Sequence, residues 1–438
     1  MPLITSDLEF SDDYPTIEPS IRLDFANARA LDPRITFTRA SVATYVDKNG
    51  LIKTVGVDEP RFDHDPTTGE SLGLLIEESR TNLIAESIVD PNSGLTSPAY
   101  WTPQEFSSPT QVTDPFGSNN AYQYLSTGGN VRSRILSAGN SNPTQPDSVV
   151  GQQYTFSIFA KTVNYDTISF GSSAAPWGTD STRVLFNLTT GTVVSDISTM
   201  GSVSSASMIP YGDGWWRLVV TSIPATVAVG IRLYIDLGLR GSTDDTHTTS
   251  EGLQLFGAQM ETGAFSTSYI PTSGSTVTRA ADLPYIEGTS FSSWYNPEGG
   301  AYVLDVIAYS YSSSFFGFGT SSYLESFNIS NSGGTQFYVA GNYNTSNAYT
   351  GNMNLDQSNK IGASFNSTGQ RVCSNGQSVN ASSFSPPDTS LFTDFDRLSF
   401  GGNIPWDKTY TSQRKTHVKS FSYYPKYLSD AQLKALTQ

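Results

Sequence analysis

Glu77, Glu78 and Arg80 follow directly on a short apolar run, Leu72 to Ile76, and three further guanidinium groups, Arg39, Arg61 and Arg279, are available to meet them. The run is long enough for one strand and too short for a stable helix. A strand entering a core seldom ends in two carboxylates and a guanidinium unless those charges pair, because an unpaired buried charge is strongly unfavourable. One reading is an ion-pair knot of Arg39, Arg61, Glu77, Glu78, Arg80 and Arg279 that clamps the start of the chain onto the next domain. The other is a catalytic carboxylate pair of the glycosidase kind. The knot is the expected one.

Other acidic groups offer oxygen ligands. Asp244-Asp245 with Glu251, or Asp63 with Asp65, could form a carboxylate pair or a structural calcium site, but neither has EF-hand spacing and acidic loop pairs are usually just solvated. No metal site or cofactor is assigned, and calcium stays the one open ion. Gly201-Ser202-Val203-Ser204 lacks the second glycine of a nucleophile elbow, and Gly299-Gly300 and Gly401-Gly402 open no helix that could cradle phosphate. No enzymatic activity is expected.

Aromatic rings on loops suggest a different chemistry, since sugars lay their C–H faces on such rings while Asp and Asn satisfy their hydroxyls. Trp177 and Asp180 lie in a turn-like stretch, Trp406-Asp407 follows Ile404-Pro405, and Tyr343-Asn344 with Tyr349 sit in a Gly/Asn-rich segment. These seven residues are the candidate glycan contacts, against the plainer reading of aromatic lids on a sandwich end. Trp101, one or both of Trp215-Trp216, and Phe315, Phe316 and Phe318 read as strand packing.

The elements that must position these residues are strands. Of 438 residues only 15 % are charged while 12 % are aromatic, and Gly, Pro, Ser and Thr abound, the profile of a turn-rich all-β protein. A net charge of −15 without a basic stripe argues against nucleic acid and anionic membrane as partners. A single cysteine, Cys373, excludes an intramolecular disulfide, and no apolar run approaches a membrane span. The N-terminus shows no secretory signal, so folding in a reducing cytoplasm is expected.

Residues 1–84 read as an acidic, Pro-bearing arm followed by a β-hairpin over 37–53, turned at Asn49-Gly50 and lying against Leu72–Ile76. Residues 85–282 read as many short strands with regular turns, a jelly-roll-like β-sandwich, ending in a Ser/Thr/Pro linker over 266–278. Residues 283–438 give a second sandwich and a closing helix that Ser429 and Gln432 cap and Leu428 and Leu433 staple. The expected fold is therefore two tandem β-sandwiches preceded by an arm and a hairpin. There is no heptad and no internal repeat of 20 to 50 residues.

Particular blocks also resemble a known family. Phe37–Tyr45, Glu59–Asp63, Gly73–Glu77, Arg80–Leu83, Gly257–Glu261, Thr267–Thr272 and Thr278–Asp282 are similar to a module of bacteriophage virion structural proteins, especially tail-fibre and carbohydrate-binding ones. The strands after 283 and the ending Val418–Leu433 are similar to concanavalin A-like, laminin-G-like domains, and the middle sandwich to carbohydrate-binding modules. The resemblance implies a non-enzymatic virion component, at the tail or capsid surface, whose partners are host-surface glycans and other virion proteins. It also implies a homo-oligomer, and a trimer would have to form through sandwich surfaces or the arm. A capsid decoration or head-fibre protein and a glycan depolymerase are the alternatives.

Overall fold

Alternation of apolar and polar residues carries the chain into strands from its first described segment: Ile21–Asp24 buries Ile21 and Leu23 and exposes Arg22 and Asp24. The computed structural model describes residues 18–91, 100–129, 133–137, 147–173, 181–198, 202–224, 230–238, 247–309, 314–319, 326–330, 336–341, 348–352, 354–383, 393–401 and 415–438. They form an all-β protein of two antiparallel sandwiches, as expected from sequence.

In the first sandwich, one six-stranded sheet runs in the order Ser202–Pro210, Trp216–Ile223, Tyr154–Thr162, Gly252–Thr262, Ala121–Leu125, Thr110–Val112. The facing sheet runs Thr192–Asp196, Ser181–Asn187, Thr167–Ser173, Arg232–Leu237, Arg134–Ser137, Trp101–Gln104. Their inner faces meet over Trp101, Phe156, Phe170, Phe186, Leu218 and Met260. Trp101 and Trp215 are buried and Trp216 is half-buried; the Trp101 indole N–H donates to the Glu86 carbonyl at 3.0 Å, so burial leaves no donor unmet.

The second sandwich is built on the pairing of Gly299–Ala308 with Thr416–Tyr424. Ser358–Asn366, Gly369–Ser374 and Asn380–Ser383 extend this sheet on one side. On the other side, both Ile21–Asp24 and Ser71–Ile76 pair with Thr416–Tyr424, and Phe62–His64 follows. Thr36–Thr38 and Leu283–Glu287 begin the facing seven-stranded sheet. Ile21, Leu23, Phe25, Leu74 and Ile76 share one core with Tyr302, Phe316, Phe318 and Phe421.

The sandwiches are thus nested on the chain. Boundaries drawn from sequence at 84/85 and 282/283 separate strands that the structure pairs: residues 21–76 complete the second sandwich, and the first is inserted between its two parts. Pairing between segments so far apart leaves no local pattern, which is why the first 84 residues read as a separate unit. The chain leaves and returns through a short ladder, Arg80–Asn82 against Val277–Arg279.

The hairpin pairs Ala43–Val46 with Ile52–Val55, turned at Gly50 with φ of 76°. It does not lie on Ser71–Ile76, whose edge Phe62–His64 occupies. Instead Ile52 packs with Phe159, Trp215, Phe256 and Tyr269 of the inserted sandwich. The expected linker after Phe265 is also part of the core at its start, where Thr267, Tyr269, Ile270 and Thr272 are buried. The closing helix Asp430–Leu436 carries both bonds of its capping box, with Leu428 and Leu433 buried together.

Candidate functional site

Where the chain crosses between sandwiches, five charged side chains meet out of water. Ser71–Ile76 ends at the floor of the second sandwich, which places Glu77 at the crossing; the returning chain brings Arg279 and Asp282 beside it. Arg61 lies between the two carboxylates, 2.7 Å from Glu77 and in contact with Asp282. Arg39 reaches Asp282 at 3.0 Å, and Arg279 stands 3.5 Å from Glu77 and 3.8 Å from Asp282. All five side chains are 0–1 % exposed. Neutral donors complete the shell: the Ser268 N–H and hydroxyl donate to Glu77 at 2.8 and 2.7 Å.

Burial alone would raise the Glu77 carboxyl, but the guanidinium groups of Arg279 and Arg61 outweigh it and hold the group well below the usual carboxylate range. Held ionised, Glu77 has no proton to give as a general acid. Glu78 and Arg80 are not part of this cluster; they pair with each other at 2.7 Å, and Arg80 lies over the Phe265 ring. The Glu78 carbonyl, not its carboxylate, accepts from Arg279 at 2.6 Å. Asp282 was missed from sequence as a member, because an acid after Ala280-Ala281 in an apparent loop reads as solvated.

A second polar chain ties the same N-terminal segment to the second sandwich. Asp63 accepts the Val46 N–H at 2.6 Å and meets His417 Nε2 at 2.8 Å, while His417 Nδ1 lies 2.8 Å from the Tyr309 hydroxyl. Burial pushes the His417 imidazole below its ordinary value of 6.5, against the pull of Asp63. A histidine with a lowered folded-state pKa is protonated first in the unfolded chain, so its contribution is whole above 6.5 and shrinks as pH falls below it. Stability measured by urea unfolding is therefore expected to fall between pH 7 and pH 5. His417→Gln should flatten that dependence while lowering stability at pH 7. An unchanged slope in the variant would remove His417 from the account.

Between the cluster and this chain lies a small pocket. The hairpin contributes Thr44, Tyr45, Val46 and Ile52, the neighbouring strands Asp63 and Leu75, the inserted sandwich Tyr211, Arg217, Ser268 and Tyr269, and the second sandwich Lys415. Six of these eleven, Thr44, Tyr45, Asp63, Leu75, Ser268 and Tyr269, fall in the blocks that carry the family resemblance, as do all five members of the ion cluster. Those blocks, scattered over 240 or so positions of sequence, are therefore one spatial unit, the joint of the two sandwiches. Rings, hydroxyls and charges converge there, a lining that can both stack on and hydrogen-bond a polar ligand.

Trp177, Asp180, Tyr343, Asn344, Trp406 and Asp407 lie outside the described residues, and Tyr349 is on the strand Ala348–Asn352. For calcium, Asp63 is engaged as above and Asp65 accepts the Thr67 and Thr68 N–H groups at 2.9 and 2.7 Å. Glu251 accepts from the Thr248 N–H, and Asp244-Asp245 is outside the described residues. Among the described residues no three His, Cys, Asp or Glu side chains are grouped to hold a metal.

No protein-family model and no curated protein matches the chain. Solved structures that it is similar to include CBM40 of the Ruminococcus gnavus IT-sialidase bound to α2,3-sialyllactose, at 15 % identity and TM-score 0.30 over 34 % of this chain and 88 % of that one. Domain 4 of AbnA, an arabinanase from Geobacillus stearothermophilus, follows at 12 % identity and TM-score 0.29, over 40 % and 82 %. Mouse laminin α1 domains LG4-5 give 12 % identity and TM-score 0.22, over 72 % and 90 %. Likenesses at these scores assign neither ligand nor activity.

Proposed function

We propose that the protein is a non-enzymatic component of a bacteriophage virion that recognises host-surface glycans, in the manner of a tail-fibre or other receptor-binding protein. The observation that supports this most is the joint pocket. Its hydroxyls and charged groups, with the half-buried Tyr45, suit a polar substituent of a saccharide, and residues of the virion-type sequence blocks make up half of its lining. The two carboxylates of the ion cluster, Glu77 and Asp282, are each held by guanidinium groups, an arrangement for clamping rather than for acid–base exchange. Weak binding per site would be strengthened by several copies on one particle.

A glycan array and a host-cell binding assay test the reading, with Tyr45→Ala, Trp177→Ala and Trp406→Ala alongside wild type. Saturable binding is expected, weakened about ten-fold by Tyr45→Ala if one ring contact is lost. Loss confined to a tryptophan variant would move the site to that loop. A folded protein that binds no glycan would sink the adhesion reading in favour of a capsid decoration role.

A further inference from the structure

We infer that the joint pocket takes the carboxylate of an acidic saccharide, an inference that rests on the glycan-binding reading above. Size comes first. The cavity is about 40 Å³, room for roughly three waters and too little for a sugar ring, so it admits a substituent and leaves the ring outside.

Charge decides which substituent. Arg217, from the strand Trp216–Ile223, is 3 % exposed. Its guanidinium donates to the Thr267 carbonyl at 2.7 Å and the Ser157 hydroxyl at 3.0 Å and also meets the Tyr211 hydroxyl, all of them neutral, and its Nε–H has no acceptor. Lys415 brings a second cation from the other sandwich, with its ammonium 4.6 Å from the Tyr309 ring centre. Among the described residues neither cation has a carboxylate within 4 Å, unlike the arginines of the adjoining cluster. Glu261 reaches Arg217's network through Thr267, whose N–H it accepts at 3.1 Å and whose hydroxyl also donates to it.

Among the described residues Asp63 is the one acid in the wall, and its oxygens are turned to the Val46 N–H and His417. The ion cluster beside the pocket is itself cationic, with three arginines on two carboxylates. A buried guanidinium facing only neutral groups favours an anion over a hydroxyl. In a chain of net charge −15, such a spot selects by contact and not by long-range attraction.

The test is calorimetric titration of the full chain with glucuronate, against glucose and glucuronamide as neutral matches and acetate as a bare carboxylate. Glucuronate is expected to bind, about ten-fold more weakly in Lys415→Gln, with no heat from the neutral sugars. Lys415 is half-buried at a strand start, so this variant keeps the fold, and Arg217→Lys is the conservative second probe. Glucuronamide binding as well as glucuronate, or an unaffected Lys415→Gln, would overturn the carboxylate assignment. Acetate binding as tightly as glucuronate would overturn the saccharide part. If the array shows glycan binding and glucuronate gives none, only this inference fails; if the array is blank, the glycan-binding reading fails with it.

Discussion

Asp282→Asn is expected to destabilise the protein by about 3–5 kcal/mol, the range found when one partner of a buried ion cluster is removed. Asp282 compensates Arg39 and Arg61 directly and Arg279 at longer range, and it also accepts the Glu77 N–H at 2.8 Å. The amide keeps the shape but loses the charge, leaving three buried guanidinium groups on the single carboxylate Glu77. Urea unfolding of the variant beside Glu70→Gln would measure the effect. Glu70 belongs to the exposed Lys419 pair, with 70 % of its side chain accessible, so its loss should cost less than about 1 kcal/mol. Equal, small losses in both would mean that the cluster is hydrated in solution.

Gly73→Ala carries the second large expectation, a loss of about 2–5 kcal/mol combining a left-handed backbone with a steric clash. Gly73 has φ of 91°, and a Cβ there would stand 2.3 Å from the Val418 carbonyl oxygen and 2.9 Å from the Lys419 Cα. Neither is a flexible side-chain end, so Ser71–Ile76 must part from Thr416–Tyr424. Hydrogen exchange gives a local readout. Protection should fall in Phe62–His64, Ser71–Ile76 and Thr416–Tyr424, while Tyr154–Thr162 and Gly252–Thr262 of the inserted sandwich keep theirs. Uniform loss across both sandwiches would contradict the nested arrangement as a mechanical boundary.

Local chemistry made part of this legible in advance. Asn49-Gly50 announces its turn, Ser429 and Gln432 their cap, and the abrupt charges after Ile76 announce that something must neutralise them. Arg39, Arg61 and Arg279 could be named as partners because guanidinium groups in otherwise strand-like stretches have few other reasons to be there. Asp282 could not, since nothing distinguishes a lone acid after two alanines from a solvated one. Glu78 and Arg80 adjoin Glu77 in sequence, but residues 77–79 lie between the strands Ser71–Ile76 and Arg80–Asn82, and there Glu78 turns to Arg80 instead of joining Glu77 in the cluster. The pocket was illegible for the same reason as the nesting: its walls come from Thr44, Tyr211, Ser268 and Lys415, which only tertiary pairing brings together.

The nesting also sets a schedule for synthesis. Asp63 and His417, bonded in the finished protein, are 354 residues apart, and Ile21–Asp24 waits for the same late strand. At about 5–20 residues per second on the ribosome, that interval is on the order of 20 to 70 s. The inserted sandwich is complete well before it ends. Until Thr416–Tyr424 emerges the early strands remain open apolar edges, held by the docking hairpin near a neighbour that folds first, and that strand is what shuts them in.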